Sequence, residues 1–268
     1  MKRILKEIGL ILLIILLFLG GQLLVSIPIG AILANNPDKN INVLDLALTI
    51  PNIALFIGFI IYDKVSKKES ILSKKPTKKD SLYSLALGAT YAGFGVVFTQ
   101  TIQKLLGDWY KLSLSSKMVE DLQKILDGAN IPLMIIAVGI IAPVVEELFF
   151  RGLLFNKSRN YVSVKASAII SALVFGFVHL NIIQGANAFV LGLLFAYIYQ
   201  KTENIYTTIL AHLGNNLMAV LIGYLLNLSS MTIFGYIICA ILIVLFIYTI
   251  KKFNYEYSNP IKTKKEEI

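Results

Sequence analysis

The chain has 268 residues, of which 56% are apolar and 15% charged, with a mean hydropathy of +0.73; a soluble domain averages roughly 45–50% apolar and about 25% charged residues, so the composition argues against a soluble globular enzyme. The net charge of +9 does not mark a nucleic-acid binder, because the basic residues sit in short connections between apolar runs, where they set topology and meet anionic lipid head groups. The single cysteine, Cys239, rules out a disulfide framework and a cysteine-rich metal site.

A spanning helix needs about 20 mostly apolar residues. Eight candidates follow in chain order: Ile8–Ala34, Val43–Tyr62, Leu82–Leu106, Ile131–Leu154, Val164–Leu180, Ala186–Gln200, Ile205–Leu226 and Met231–Ile250. The first follows Met-Lys-Arg but is too long for a signal h-region and reads as an uncleaved anchor. The fifth and sixth are short, with the uncharged link Asn181-Ile182-Ile183-Gln184-Gly185 between them. The pattern predicts an all-α polytopic bundle of about eight transmembrane helices. It divides into three N-terminal spans (residues 1–130), a core (131–226), and a last span with a basic tail (227–268). The loop Lys64–Asp80 and the tail Lys251–Ile268 read as mobile polar segments. In Ser115–Asp127, Met118, Leu122, Ile125 and Leu126 fall at helical spacing, which predicts an amphipathic helix on the membrane or the bundle.

Ionisable groups inside a span are costly and mark function by default. Of 16 acidic residues, only Glu146 and Glu147 lie well inside an apolar run, and both histidines, His179 and His212, do so as well. Glu147 and Arg151 are four apart and share a face, so they can pair; Glu146 points about 100° away, free to face a cavity. Phe175 lies four before His179, and Asn216 four after His212. Helical rise puts Glu146 ~16 Å from Lys157, His179 ~21 Å from Lys165, and His212 and Asn216 ~12 and ~18 Å from Asn204. Three helices thus bring their polar groups to one layer of a ~30 Å hydrocarbon core. Each residue alone has a structural explanation: an interhelical hydrogen bonder for a histidine, packing or capping for Asn215, an ion pair for Glu147–Arg151. Together they predict a functional site.

The same residues carry a resemblance. Glu146-Glu147-Leu-Phe-Phe-Arg151 fits Glu-Glu-x-x-x-Arg, Phe175-Gly-Phe-Val-His179 fits Phe-x-x-x-His, and His212-Leu-Gly-Asn-Asn216 fits His-x-x-x-Asn. In that order, on separate apolar helices, they resemble the motifs of the CPBP family (CAAX proteases and bacteriocin-processing enzymes, also called Abi), its bacterial members above all and the type II CAAX prenyl proteases more distantly. The likeness covers roughly Ile131–Leu226; the first three spans and the last carry no motif. It implies an intramembrane peptidase in which Glu146 is the catalytic glutamate, His179 orients or activates water, His212 and Asn216 contact the scissile carbonyl, and Glu147 and Arg151 support them. Physical chemistry gives these roles an independent basis. A carboxylate in a poorly solvated pocket is a stronger base than one in water, and donors in a low-dielectric site stabilise an oxyanion strongly. The polar layer needs water, which predicts a cavity open towards the cytoplasm.

On metal, two readings stand. Glu146, His179 and His212 could ligate zinc and leave a position for water. Yet the H-E-x-x-H arrangement is absent and Asn216 is not a usual zinc ligand, so the sequence favours a glutamate-based mechanism with no cofactor. The expected partners are the lipid bilayer and a peptide or lipid-modified protein substrate, with no nucleic acid. A proton- or cation-coupled transporter is the rival class, but no inverted repeat or pair of broken spans supports it. A non-catalytic immunity or scaffold protein of the same fold is the other. The Lys-, Ile- and Asn-rich composition points to a low-GC bacterium.

Basic residues orient the bundle. If both termini are cytoplasmic and every candidate spans, 20 of the 25 Lys and Arg fall inside and 5 outside, the bias that inner loops carry. Cysteine or phosphatase reporters placed in Lys64–Asp80 and after Lys251 are expected to report the cytoplasm, and those in Lys111–Asp127 the outside. An outside signal from Lys64–Asp80 reverses the orientation.

Overall fold

The computed structural model describes residues 5, 8, 9, 12, 13, 15–21, 23, 24, 42–65, 70–111, 132, 135–226 and 232–258. Among these residues the structure is helical without strands, an all-α membrane bundle. Helix α1 spans Asn42–Val65, α2 Lys78–Lys111, α4 Val164–Phe177, α5 Ile182–Thr202, α6 Ile205–Leu226 and α7 Ile233–Ser258. Between α2 and α4 lies a broken helix, α3. It runs as a π segment Ile135–Ile141, an α segment Ala142–Glu147, a second π segment Leu148–Phe155 and a turn Asn156–Ser158. Each of the last seven candidate spans thus falls on a helix. Four of them are long and apolar enough to cross a membrane among the described residues, over Lys78–Gly107, Ile182–Thr202, Ile205–Gly223 and Ile233–Ser258, and Val164–Phe177 is a shorter apolar helix. Most of the first candidate and all of Ser115–Asp127 lie outside the described residues.

Local chemistry sets the helix boundaries. Ser163 caps α4, its Oγ accepting from the Ala166 N–H at 3.2 Å. Asn181 caps α5, its Oδ1 accepting from the N–H groups of Ile183 and Gln184, both at 3.0 Å. Between them Leu180 turns the chain with φ 54°. Helix α5 ends where Glu203 adopts a left-handed conformation, φ 47°.

Apolar runs in a bilayer gain little from burying against one another, so close backbone packing must hold the helices together. Helix α2 packs most extensively against α6 and then α7, and α4 against α5. Small residues permit it. A Cβ built on Gly88 of α2 would lie 1.6 Å from the Ala211 carbonyl oxygen of α6, and one on Gly214 of α6 would lie 2.5 Å from the Leu85 carbonyl oxygen. At the α4–α5 turn, a Cβ on Gly176 would lie 2.6 Å from the Gly185 carbonyl oxygen. Aromatic rings fill the rest: Phe18 of the first apolar run packs on Phe149 and Phe150 of α3, with centroids 5.3 and 5.2 Å away.

Two expectations of mobility are corrected. Residues 70–80 fold back onto the bundle: the Ile71 N–H donates to Asp63 Oδ1 at 3.4 Å, Lys74 Nζ donates to the Thr202 carbonyl at 2.8 Å, and the Tyr206 hydroxyl donates to the Leu72 carbonyl at 3.1 Å. Ile71 and Leu72 pack against the aromatic core of α3, so two apolar residues anchor a polar loop. The start of the tail, in turn, is helical to Ser258, because Lys79 pairs with Glu256 at 2.6 Å and the Tyr257 hydroxyl donates to Asp80. Residues 66–69 and 259–268 lie outside the described residues.

The α2–α6 contact gives a direct test. Gly88→Ala must push α6 away and is expected to cost about 1–3 kcal/mol, the usual penalty for overpacking, seen as a lower melting temperature in detergent. Gly58→Ala, where a Cβ would meet nothing within 4 Å, is the control and should leave the transition unchanged.

Candidate active site

Glu146 and Glu147 close the α segment of α3, and successive residues of a helix point about 100° apart. Glu147 is fully buried, whereas the Glu146 side chain keeps 18% exposure. The expected division between them therefore appears in the fold. Glu147 Oε1 accepts from Arg151 Nη1 at 2.8 Å, and both side chains are completely buried. The second guanidinium nitrogen, Nη2, donates to the Gly192 carbonyl of α5 at 2.8 Å. The guanidinium lies against two rings, 4.9 Å from the Phe175 centroid and 5.2 Å from that of Phe195, where the ring faces favour a cation. A Cβ at position 192 would stand 3.2 Å from Nη2 and 3.0 Å from Ala172 Cα, so glycine opens the slot that Arg151 fills.

His212 joins the two glutamates. Its Nδ1 lies 3.0 Å from Glu147 Oε1, and its Nε2 lies 3.7 Å from Glu146 Oε2. Glu147 Oε1, which already accepts from Arg151, accepts here as well, so Nδ1 is the donor, which fixes the ring's orientation and leaves Nε2 facing Glu146. Phe195 packs on the imidazole at 4.8 Å. Phe175 separates the histidines, with its ring 5.6 Å from His212 and 5.0 Å from His179, edge-on to both.

His179 sits in the turn just beyond α4, after the C-cap Val178, rather than within a span. Its Nδ1 donates to the Phe175 carbonyl at 2.7 Å, so Nε2 is the nitrogen left for chemistry. Asn216, one turn beyond His212, donates from Nδ2 to the Val138 carbonyl in the first π segment at 2.8 Å, and its Oδ1 accepts from Asn215 Nδ2 at 3.1 Å.

The structure thus gathers Glu146, Glu147, Arg151, Phe175, His212 and Asn216 from α3, α4 and α6, with His179 beside them across the Phe175 ring. The sequence reading missed the contribution of α5. Phe195 and the Gly192 carbonyl belong to the site, but one phenylalanine and one glycine in an apolar run carry no signal of their own. It also gave His212 no bond to Glu147, because residues 65 apart show no spacing. Glu146, His179 and His212 are the residues that could ligate zinc if a metal is present; among the described residues no three His, Cys, Asp or Glu side chains are grouped to hold a metal ion.

Glu147 Oε2 and Arg151 Nε are buried without a hydrogen-bond partner among the described residues, so the pair already bears a desolvation cost and tolerates little further loss. Arg151→Ala and Glu147→Gln are expected to destabilise the fold by about 3–5 kcal/mol, the cost of leaving one buried charge alone, and to lower the amount of protein recovered from membranes. Arg151→Lys should fail in the same way, since a single ammonium cannot reach Glu147 and Gly192 with a planar fork. If Glu147→Gln and Arg151→Ala both fold normally yet lose activity, Glu147 acts in the chemistry itself.

Comparison with known proteins matches the same stretch of the chain. Residues 128–218 match the family described as type II CAAX prenyl endopeptidase Rce1-like. Over 170 residues the chain is 29% identical to a protein of Bacillus subtilis (strain 168) named "Putative membrane peptidase YdiL", covering 63% of this chain and 68% of that one. No solved structure gives a significant match. The matched stretch, residues 128–218, is about a third of the chain and takes in the whole Glu146–His212–Asn216 cluster, so it is there that the chain is similar to the Rce1-like type II CAAX prenyl endopeptidases.

Proposed function

We propose that the protein is an intramembrane endopeptidase that hydrolyses a peptide bond of a membrane-associated peptide or lipid-modified protein. The observation that carries the reading is the meeting of His212 with both glutamates, its Nδ1 3.0 Å from Glu147 and its Nε2 3.7 Å from Glu146. A purely structural histidine needs one acceptor, and Glu147 supplies it; the partly exposed Glu146 beside Nε2 is then surplus to packing. A family-level likeness to membrane proteases supports the same class.

In this mechanism a water molecule lies between Glu146 and His179 Nε2. Glu146 takes its proton as the water oxygen bonds to the scissile carbonyl carbon. The negative charge that develops on the carbonyl oxygen is met by Asn216 Nδ2 and His212 Nε2, which work at full strength because the site is poorly solvated. With Nδ1–H committed to Glu147, His212 Nε2 donates when the ring carries its second proton. The proton held on Glu146 passes to the amine nitrogen, the C–N bond breaks, and an amine and a carboxylic acid form, the acid giving the second water proton to the amine so that a carboxylate and an ammonium leave. Glu147 and Arg151 hold His212 and the α3–α5 contact without touching substrate. No step requires a metal ion: Asn216 is not a usual zinc ligand, and Glu147, the other carboxylate at the site among the described residues, is engaged by Arg151.

The setting follows from the same reading: a multi-pass protein of a bacterial cell membrane, with both termini in the cytoplasm and the substrate near the inner surface. Processing of a peptide, immunity and signalling all use such chemistry. A non-catalytic scaffold of the same fold is the alternative that a substitution separates from it.

Glu146→Gln keeps the shape of the side chain but removes its basicity. It is expected to leave the protein folded and membrane-inserted while abolishing cleavage, and His179→Ala should do nearly the same. His212→Ala and Asn216→Ala should lower turnover roughly 100- to 1000-fold, as the loss of one oxyanion donor does. The peptides that accumulate in a deletion strain should match those in a Glu146→Gln strain; a Glu146→Gln strain indistinguishable from wild type leaves the scaffold reading. Metal content of the purified active protein decides the cofactor, and stoichiometric zinc that tracks activity overturns the metal-free mechanism.

A further inference from the structure

Asn216 is held at both ends, by Val138, which lies outside the three motifs, and by Asn215, which occupies an unspecified position within the third. Its Nδ2 donates to the Val138 carbonyl at 2.8 Å, and its Oδ1 accepts from Asn215 Nδ2 at 3.1 Å. The two bonds agree on which way the carboxamide faces, since only the NH2 end can donate to a carbonyl. Among the described residues one Nδ2 hydrogen has no partner, and an oxyanion needs just one.

The reason a helix carbonyl turns to a side chain lies in the sequence. Val138 is in the π segment Ile135–Ile141, where the hydrogen-bond register is i→i+5. In that register the donor facing the Val138 carbonyl is residue 143. Residue 143 is proline, buried in the first turn of the following α segment, and it has no N–H to give. A half-buried main-chain carbonyl left without its helix donor takes another, and Asn216 on α6 provides it. Close approach of the two helices is permitted one residue later, where a Cβ on Gly139 would lie 2.8 Å from Leu217 Cδ2. Asn215 is itself buried, 8% exposed, and its amide nitrogen grips the other end of Asn216.

We propose that Pro143 and Asn215 are positioning residues of the hydrolytic site: Pro143 leaves the Val138 carbonyl open to Asn216 Nδ2, Asn215 fixes Asn216 Oδ1, and the remaining Nδ2 hydrogen is aimed at the oxyanion. The inference rests on the peptidase reading and names two residues that act through Asn216. Alanine at 143 restores an N–H that satisfies Val138 within the helix and releases Asn216; alanine at 215 frees its other end.

The test compares wild type, Pro143→Ala, Asn215→Ala, Asn216→Ala and the Pro143→Ala/Asn216→Ala pair, each purified in detergent. The probe is an internally quenched peptide bearing an S-farnesyl cysteine. Pro143→Ala is expected to lower kcat roughly 10-fold, short of the roughly 100-fold loss of a whole donor, with KM within about twofold. The paired variant should be no slower than Asn216→Ala alone, because a residue that acts only through Asn216 has nothing left to act on. Losses that multiply, or a kcat unchanged by Pro143→Ala, overturn the proposal. Should Pro143→Ala not fold, Asn215→Ala supplies the same comparison. A readout without substrate stands beside it: in protein labelled with 15N-asparagine, the carboxamide signal missing from Asn216→Ala identifies Asn216. That signal should shift in Pro143→Ala; a signal that stays in place overturns the positioning contact. A Glu146→Gln strain whose accumulated peptides are those of wild type overturns the peptidase reading and the positioning role with it, whereas Glu146-dependent turnover with an unmoved signal overturns the positioning role alone.

Discussion

The buried ion pair between Glu147 and Arg151 is the interaction on which the rest of the site depends. Both side chains are wholly removed from solvent in a medium that penalises charge, so each must be matched by geometry rather than by water. Arg151 spends its fork on Glu147 and on the Gly192 carbonyl, which ties α3 to α5. Glu147 spends the same oxygen on His212, which ties α3 to α6. Three helices are thus joined at one carboxylate, and the position of His212 relative to Glu146 follows from it. An uncharged replacement of the pair could pack as well, but it could not fix which imidazole nitrogen faces Glu146.

Helix irregularity is the second constraint. A regular α-helix would satisfy its own carbonyls and offer nothing to its neighbours. Here π segments flank the two glutamates on both sides, and the Asn216 carboxamide is bonded to a main-chain carbonyl of the first. π-Helical turns inside longer helices occur frequently at functional sites. In α3 the break has a cause that can be named, the missing N–H of Pro143, and the open carbonyl is used.

Around this centre the bundle is held by contacts suited to lipid. Gly88 and Gly214 let α2 and α6 touch backbone to backbone. At one end of α2 the polar segments are pinned rather than loose, through Lys74 on the end of α5 and through Glu256 and Tyr257 on the start of α2. Lysines there lie over tyrosine rings, Lys157 over Tyr62 and Lys201 over Tyr197, combining the charge and the amphipathic ring that favour a membrane–water boundary.

The sequence by itself determined the class of the fold and the short-range part of the site. Apolar runs of spanning length specify membrane helices because in lipid only a helix satisfies every backbone group within one segment, and residues four apart share a face, so the Glu147–Arg151 pair and the Phe175–His179 contact were legible. Its scarcity of buried charge also singled out Glu146, His179 and His212. Only the tertiary structure decided what meets across helices: that His212 bonds to Glu147, that Gly192 and Phe195 complete the pocket around Arg151, and that Asn216 turns to Val138. Those contacts join residues 41 to 78 positions apart, and nothing in a local period records them. The docking of residues 70–80 and 251–258 was hidden for a related reason. A polar, lysine-rich stretch reads as solvated until a few apolar or paired residues, Ile71, Leu72 and Glu256 among them, find partners on distant helices whose positions the chain fixes only once it has folded.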